Sequence, residues 1–206
     1  MRPYFLSHID RHQFAYRPRS STTCALTHLH YRLTSLLEEN DSTGVAILSL
    51  DYSKAFDTIS HDMLLQRVID CGFPKPFVTW LSSYLTERAQ RTTFGNVVSS
   101  VAHVTSGVPQ GSIIGPLLFI LYTANLLGDI NCDYVKYADD TTILIKLSFD
   151  DSSSERLICD ILEHVKSKSE NIKLCLNISK SNILICPKRN MCPSVCVFRV
   201  LMLHPP

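Results

Sequence analysis

The order of elements that the sequence predicts is that of an α+β fold, a ferredoxin-like β-α-β-β-α-β antiparallel sheet with helices on one face. Three observations carry this expectation. Residues 45–50 form a compact aliphatic-rich run that suits a buried strand. Residues 134–147 read as a hairpin with Tyr137-Ala138-Asp139-Asp140 at its tip. Apolar helical patterns stand between these strands and after them, and a last strand is expected at residues 182–186. With residues 60–105 set aside, the order is strand, helix, strand, strand, helix, strand.

Each element has a local reason. Ser20 and Ser21 precede Ala25, Leu26, Leu29, Leu33, Leu36 and Leu37, which keep helical spacing, so a capped helix is expected there. Residues 40–44 read as a turn, and Asp51 ends the strand that follows. Ser60 caps a helix carrying Met63, Leu64, Leu65 and Val68, which Gly72 stops. Pro74 fits the first turn of the next helix, with Phe77, Trp80, Leu81, Tyr84 and Leu85. Residues 91–94 and 97–105 read as two strands joined at Gly95-Asn96. Residues 107–115 form a polar, glycine-bearing loop, and an apolar helix follows over about 116–127. An amphipathic helix is expected over about 152–171.

Composition bounds the class. At 206 residues the chain is long enough for one domain with a sizeable core. Its 45% hydrophobic and 19% charged content is that of a globular protein. The net charge of +1 gives no whole-chain signal for a polyanionic partner. Basic residues still cluster, as Arg2, Arg11, Arg17, Arg19 and Arg32, and again from Lys166 to Arg189. The longest uncharged stretch, residues 104–128, has too short a continuous apolar part to span a bilayer, so no membrane association is expected. Eight cysteines without a Cys-x-x-Cys pair, and no signal peptide, point to free, mostly buried thiols and an intracellular location, nucleus or cytoplasm. Cys192 and Cys196 lack a matching second pair, so zinc is not expected.

The chemistry lies in the acids. Asp139 and Asp140 repel one another at a hairpin tip, a conflict that a divalent cation would remove. In the ferredoxin-like plan the first strand neighbours the hairpin, which sets Asp51 beside them. Three carboxylates so placed suit hard cations, most plausibly Mg²⁺. Two such ions about 3.5–4 Å apart clamp both oxygens of an in-line phosphoryl displacement. A calcium loop of the EF-hand kind is not expected, because Ser53 and Ala55 occupy ligand positions and no glycine stands at the sixth.

Five ordered motifs carry a resemblance. Asp51-Tyr52-Ser53-Lys54-Ala55-Phe56-Asp57, with Ile59 and His61, resembles motif A of the reverse transcriptases of non-LTR (LINE-type) retrotransposons. Ser106-Gly107-Val108-Pro109-Gln110-Gly111-Ser112 and Gly115-Pro116-Leu117-Leu118-Phe119 resemble motif B, and Tyr137-Ala138-Asp139-Asp140 resembles motif C. Gln13-Phe14-Ala15-Tyr16-Arg17-Pro18 and Ser21-Thr22-Thr23 are similar to the fingers motif, and Leu176-Asn177-Ile178-Ser179-Lys180 to motif D. The resemblance covers residues 13–186.

The resemblance implies a polymerase palm with part of the fingers over residues 1–186, and a tail of unclear structure, without a thumb, over 187–206. It implies RNA-directed DNA polymerase activity, with transfer of dNMP from dNTP to the 3′-hydroxyl of a DNA primer on an RNA template. Two Mg²⁺ ions, for which Mn²⁺ substitutes, would be held by Asp51, Asp139 and Asp140. Phe56 would lie under the sugar of the incoming nucleotide and exclude a 2′-hydroxyl. Gln110 and Gly111 would shape the nucleotide pocket, Arg17 would contact the triphosphate, and Lys180 would stand near the leaving pyrophosphate.

Departures from the family pattern are Ala15-Tyr16 for Gly-Phe, Ile113-Ile114 for Val-Leu, Asn125 for aspartate, and Ser181-Asn182 for Thr-Glu or Thr-Lys. None removes a proposed metal ligand. The alternatives are a truncated, catalytically inactive remnant and a nucleic-acid-binding module. A group II intron maturase fits less well, because the context of Phe56 differs and no maturase domain follows.

Overall fold

The computed structural model of the chain describes residues 2–148, 151–188 and 196–199. In chain order the elements are α1 (Arg2–His8), α2 (Thr22–Glu38), β1 (Gly44–Leu50), α3 (His61–Asp70), α4 (Lys75–Leu85), β2 (Ala89–Gln90), β3 (Thr93–Phe94), β4 (Val97–Val98), β5 (Ala102–His103), α5 (Gly115–Tyr122), β6 (Asp133–Tyr137), β7 (Asp140–Leu147), α6 (Asp151–Asn171), β8 (Asn182–Pro187) and β9 (Cys196–Arg199). The main sheet has the order β6-β7-β1-β8-β9, and every neighbouring pair in it is antiparallel.

The central strand, β1, is apolar at nearly every position, a pattern that requires cover on both faces. Ala46, Leu48 and Leu50 point into the main core with Ile143 and Ile145 of β7. That core also takes Leu64 and Val68 of α3, Phe77, Leu81 and Leu85 of α4, Leu118 to Leu121 of α5, and Ile161 and Val165 of α6. On the other face Val45 and Leu144 pack against Leu36, with Leu29, Leu33 and Leu37 beside them. The expectation of helices on one face is therefore corrected: α2 covers the second. Each fully buried leucine here contributes about 1.5–3 kcal/mol relative to exposure.

Other expectations meet local physics. Ser21 caps α2, its hydroxyl accepting from the Cys24 N–H at 3.2 Å. Ser60 occupies the N-cap of α3 without a side-chain cap bond. The apolar helix expected to reach residue 127 stops at Tyr122, and turns follow. The Thr123 carbonyl accepts from Lys136 Nζ at 2.7 Å and from the Leu126 N–H at 3.2 Å, a bond to the third residue on, which makes a tight turn and not a further α-helical turn. The strands expected over 91–105 shrink to two-residue pairs, β3 with β4 and β2 with β5. Their side chains are exposed and have no core to order them.

The sheet also runs on past the expected end of the domain. β8 reaches Pro187 and β9 pairs along it, so part of the segment read as a tail joins the sheet. Of the six described cysteines, all free, only Cys71 is buried, and Cys24 and Cys175 are exposed. The expectation of mostly buried thiols is corrected, because Cys24 sits in the first turn of α2 and Cys175 in a loop. The expected absence of zinc at Cys192 and Cys196 lies outside the described side chains. Among the described residues, no helix is long and apolar enough to cross a membrane.

Beside the hairpin lies a buried ion pair. Lys136 of β6 is 1% exposed, and its Nζ stands 3.5 Å from the Asp10 carboxylate. Asp10 also accepts from the His12 N–H at 2.9 Å and from the Tyr134 hydroxyl at 3.2 Å. Burial pushes the Lys136 ammonium down to about 8, against the opposing pull of Asp10.

Candidate active site

Asp51 leaves β1 where Leu50 faces Thr141 of β7, which brings it level with Asp140. Motif D fixes its backbone. The Asp51 N–H donates to Ser181 Oγ at 3.2 Å, and its carbonyl accepts from the Asn177 N–H at 2.8 Å. The fully buried Ser181 hydroxyl donates in turn to the Asn177 carbonyl at 2.9 Å. Ser181 and Asn177 were not given roles by sequence; their place within the motif D region was the available signal.

The hairpin turn is two residues long, since Tyr137 pairs with Asp140 across it. Ala138 adopts φ 57°, where glycine is the usual occupant. An L-residue pays about 1–2 kcal/mol for that left-handed conformation. The turn is gripped from the fingers motif. Gln13, fully buried, accepts from the Ala138 N–H at 3.0 Å and donates to the Ala138 carbonyl at 3.1 Å.

Motif B latches onto motif A. The Gly107 N–H donates to the Ile59 carbonyl at 2.8 Å, and the Val108 N–H to the Phe56 carbonyl at 2.9 Å. Ser106 Oγ donates to the Asp57 carbonyl at 2.9 Å, and His61 Nε2 lies 2.8 Å from the Gly107 carbonyl. Gln110 Nε2 donates to Asp57 Oδ1 at 2.8 Å, which aims the Gln110 amide. Phe56 stacks on Phe119 with centroids 4.3 Å apart, so it is both a core contact and a cleft wall.

These elements enclose a cleft of about 300 Å³. Asp51, Phe56, Asp57, Gln110, Asp139 and Lys180 line it, five of them residues expected from sequence and Asp57 an addition. Three expected residues do not line it. Gly111 stands apart in an exposed turn at φ 79°. Arg17 spends Nη1 on the carbonyls of Arg11 at 2.7 Å and Gln13 at 3.3 Å, bracing the fingers segment. Asp140 lines a separate cavity of about 350 Å³ with Thr22, Ala25, Tyr137 and Thr142.

Charge nevertheless couples the three acids. Partial desolvation, and then the charges of Asp139 and Asp51, raise the exposed Asp140 carboxyl above the usual carboxylate range. Burial, and then the charge of Asp139, raises the Tyr16 phenol. Among the described residues none of the three acids forms an ion pair. Nor, among the described residues, are three Asp, Glu, His or Cys side chains grouped closely enough to hold a metal ion. As donors, Asp51 and Asp139 fit a hard cation: both are carboxylates, both open to one cleft, and among the described residues neither is held in an ion pair. The expected three-carboxylate cup is thus drawn as a pair, with Asp140 coupled to it from the side.

Likeness to known proteins gives the family. A family model, reverse transcriptase (RNA-dependent DNA polymerase), matches residues 1–193. The probable RNA-directed DNA polymerase from transposon X-element of Drosophila melanogaster is 30% identical over 201 residues, which is 94% of this chain and 22% of that relative. The RNA-directed DNA polymerase from mobile element jockey of the same organism is 26% identical over 95% of this chain and 22% of its own length. The chain thus spans about a fifth of the length of these relatives. Among solved structures, apo telomerase from Candida tropicalis superposes with a TM-score of 0.62 at 10% identity, covering 87% of this chain and 34% of that one. At that identity the likeness is one of fold. Asp51 at the end of the central strand β1 and Asp139 at the tip of the neighbouring β6–β7 hairpin open into one cleft of an antiparallel sheet. The chain belongs to the reverse transcriptase (RNA-dependent DNA polymerase) family, and its relatives are the polymerases of non-LTR retrotransposons.

Proposed function

We propose that this chain is the palm and part of the fingers of a retrotransposon RNA-directed DNA polymerase, acting on an RNA template, a DNA primer and dNTPs. The strand order β6-β7-β1-β8 supports the ferredoxin-like palm reading. One observation carries the function: Asp51 and Asp139, from separate motifs, open into one cleft with Phe56, Gln110 and Lys180.

Asp51 and Asp139 would hold Mg²⁺, with Asp140 beside them. The bound cation would supply charge stabilisation at the reacting phosphate oxygens. The protein needs no side-chain nucleophile, because the primer hydroxyl attacks and the chain supplies position and charge. Phe56, held by its stack on Phe119, would close the space a 2′-hydroxyl requires, and an unpaired buried hydroxyl is costly. Gln110, aimed by Asp57, would face the nucleotide. Lys180 would place its ammonium beside the departing pyrophosphate. Arg17 would reach the triphosphate with Nε and Nη2, which have no protein acceptor among the described residues. Gly111 would shape the pocket through the loop backbone.

The test is Mg²⁺-dependent dNTP incorporation on a primed RNA by the purified chain, beside Asp139→Ala. The expected result is incorporation by the first and none by the second, and equal signal from both would refute the reading. The position of Asp140 outside the cleft favours a second reading, a nucleic-acid-binding remnant without catalysis. Salt-sensitive RNA binding with no incorporation by either protein would select it.

A further inference from the structure

Residues 12–14 run beside β6 as a short parallel ladder. The Lys136 N–H donates to the His12 carbonyl at 2.9 Å, and the Phe14 N–H donates to the Lys136 carbonyl at 2.8 Å. Beyond this ladder the Gln13 side chain takes over as a further rung. Its primary amide offers an acceptor and a donor together, and it meets both main-chain polar groups of Ala138, which belong to the successive peptide units on either side of its Cα. The Ala138 N–H donates to Oε1 at 3.0 Å, and Nε2 donates to the Ala138 carbonyl at 3.1 Å. The Ala15 N–H, donating to Oε1 at 3.0 Å, fixes which end of the amide is oxygen. No carboxylate, hydroxyl or ammonium supplies this combination in its ordinary charge state at that length. Gln13 is fully buried, so water does not replace it. The residue it holds has the left-handed φ of 57°, and Asp139 is the next residue along.

We propose that Gln13 is a positioning residue: its side-chain amide clamps the main chain on both sides of Ala138 and so fixes Asp139 toward the cleft shared with Asp51. Gln13 touches neither acid and acts through the main chain of the turn. The consequence for the cation site rests on the reading of Asp139 as a metal-holding carboxylate, while the clamp itself has an independent readout.

The experiment uses the full chain and two variants. Gln13→Met keeps the length and removes both hydrogen-bonding functions. Gln13→Asn keeps the amide but is one methylene too short to reach the N–H and the carbonyl of Ala138. Amide hydrogen exchange reads the clamp: the Ala138 N–H is protected in the wild type and loses about tenfold or more of that protection in Gln13→Met, while the Leu48 amide of β1 keeps its own. Titration with Mn²⁺ alone, followed by electron paramagnetic resonance, reads the positioning. Gln13→Met weakens binding about 10–100-fold, the range expected when an outer partner of a ligand is removed. Asp139→Ala is the reference for loss of the site. Unchanged Ala138 exchange overturns the clamp. Faster exchange with wild-type Mn²⁺ affinity, where Asp139→Ala has lost it, overturns the positioning role. Where Asp139→Ala binds Mn²⁺ as the wild type does, the metal reading has failed instead, and the exchange result still decides the clamp. Should Gln13→Met not fold, Gln13→Asn decides both questions by the same two measurements.

Discussion

Gly107→Ala tests the latch between motifs A and B. Gly107 has φ +85°, and a Cβ added there would lie 2.8 Å from both the Cα and the carbonyl oxygen of Asp57. Those are backbone atoms, so no rotamer change relieves the overlap. Alanine first pays about 1–2 kcal/mol for the left-handed conformation. The loop must then retreat from Asp57. That movement strains the bonds from the Gly107 N–H to Ile59 and from the Val108 N–H to Phe56, each contributing about 0.5–1.5 kcal/mol net. The expected destabilisation is therefore about 2–4 kcal/mol. Gly111→Ala is the internal control. It shares a positive φ, +79°, but its added Cβ meets nothing within 4 Å. It should show the conformational part alone, about 1–2 kcal/mol. Urea unfolding at 25 °C followed by circular dichroism measures both. A Gly107→Ala cost within about 0.5 kcal/mol of the Gly111→Ala cost would refute the close contact with Asp57.

Further outcomes follow from single sites. For Lys136 the folded pKa of about 8 lies below its ordinary 10.5, so between those values the unfolded chain binds the extra proton and stability rises with pH. The gain is of the order of 3 kcal/mol across the window, and unfolding free energies at pH 7.5 and 9.5 should rise in the wild type relative to Lys136→Met; a wild-type slope no steeper than the variant's would contradict the buried ammonium. Ser181→Ala strands the Asp51 N–H and should cost about 1–3 kcal/mol by denaturant titration, whereas Ser181→Thr keeps the hydroxyl and should cost less; equal costs would remove the hydroxyl from this role. Phe56→Val should raise NTP use relative to dNTP, measured as the ratio of kcat/KM values, and should cost about 1–3 kcal/mol of stability through the lost stack on Phe119. Unchanged sugar selectivity would take Phe56 out of the nucleotide pocket.

Much of this architecture was readable because the local patterns were strong. The aliphatic run at 45–50, the helical spacing after Ser21 and the hairpin around Ala138 each reported their own conformation. The pairing of Asp51 with Asp139 was readable because element order restricts topology. What escaped was tertiary. The apolar stripe of α2 says that one side is buried, but not which face of the sheet receives it. Lys136 sits among apolar residues with nothing local to announce that Asp10 and the Thr123 carbonyl would receive it. Arg17 reads in the sequence as a triphosphate contact, whereas the bonds of its Nη1 to the carbonyls of Arg11 and Gln13 depend on how the fingers segment folds back. Gln13 was legible as part of a motif, but its bonds to a turn far along the chain have no local signature.

The central place of β1 also bears on how the molecule is made. Its two partners, β7 and β8, begin at Asp140 and Asn182, long after Leu50 has left the ribosome. At about 5–20 residues per second, β1 waits roughly 5–20 s for its first neighbour. During that time a strand built for double-sided cover has both edges open. The two acids that end up in one cleft are joined only by contacts of high sequence separation, a topology that folds slowly. Closure of the cleft between Asp51 and Asp139 thus waits for late, long-range pairing, and a chaperone that shields residues 44–50 on the nascent chain should raise the yield of folded protein.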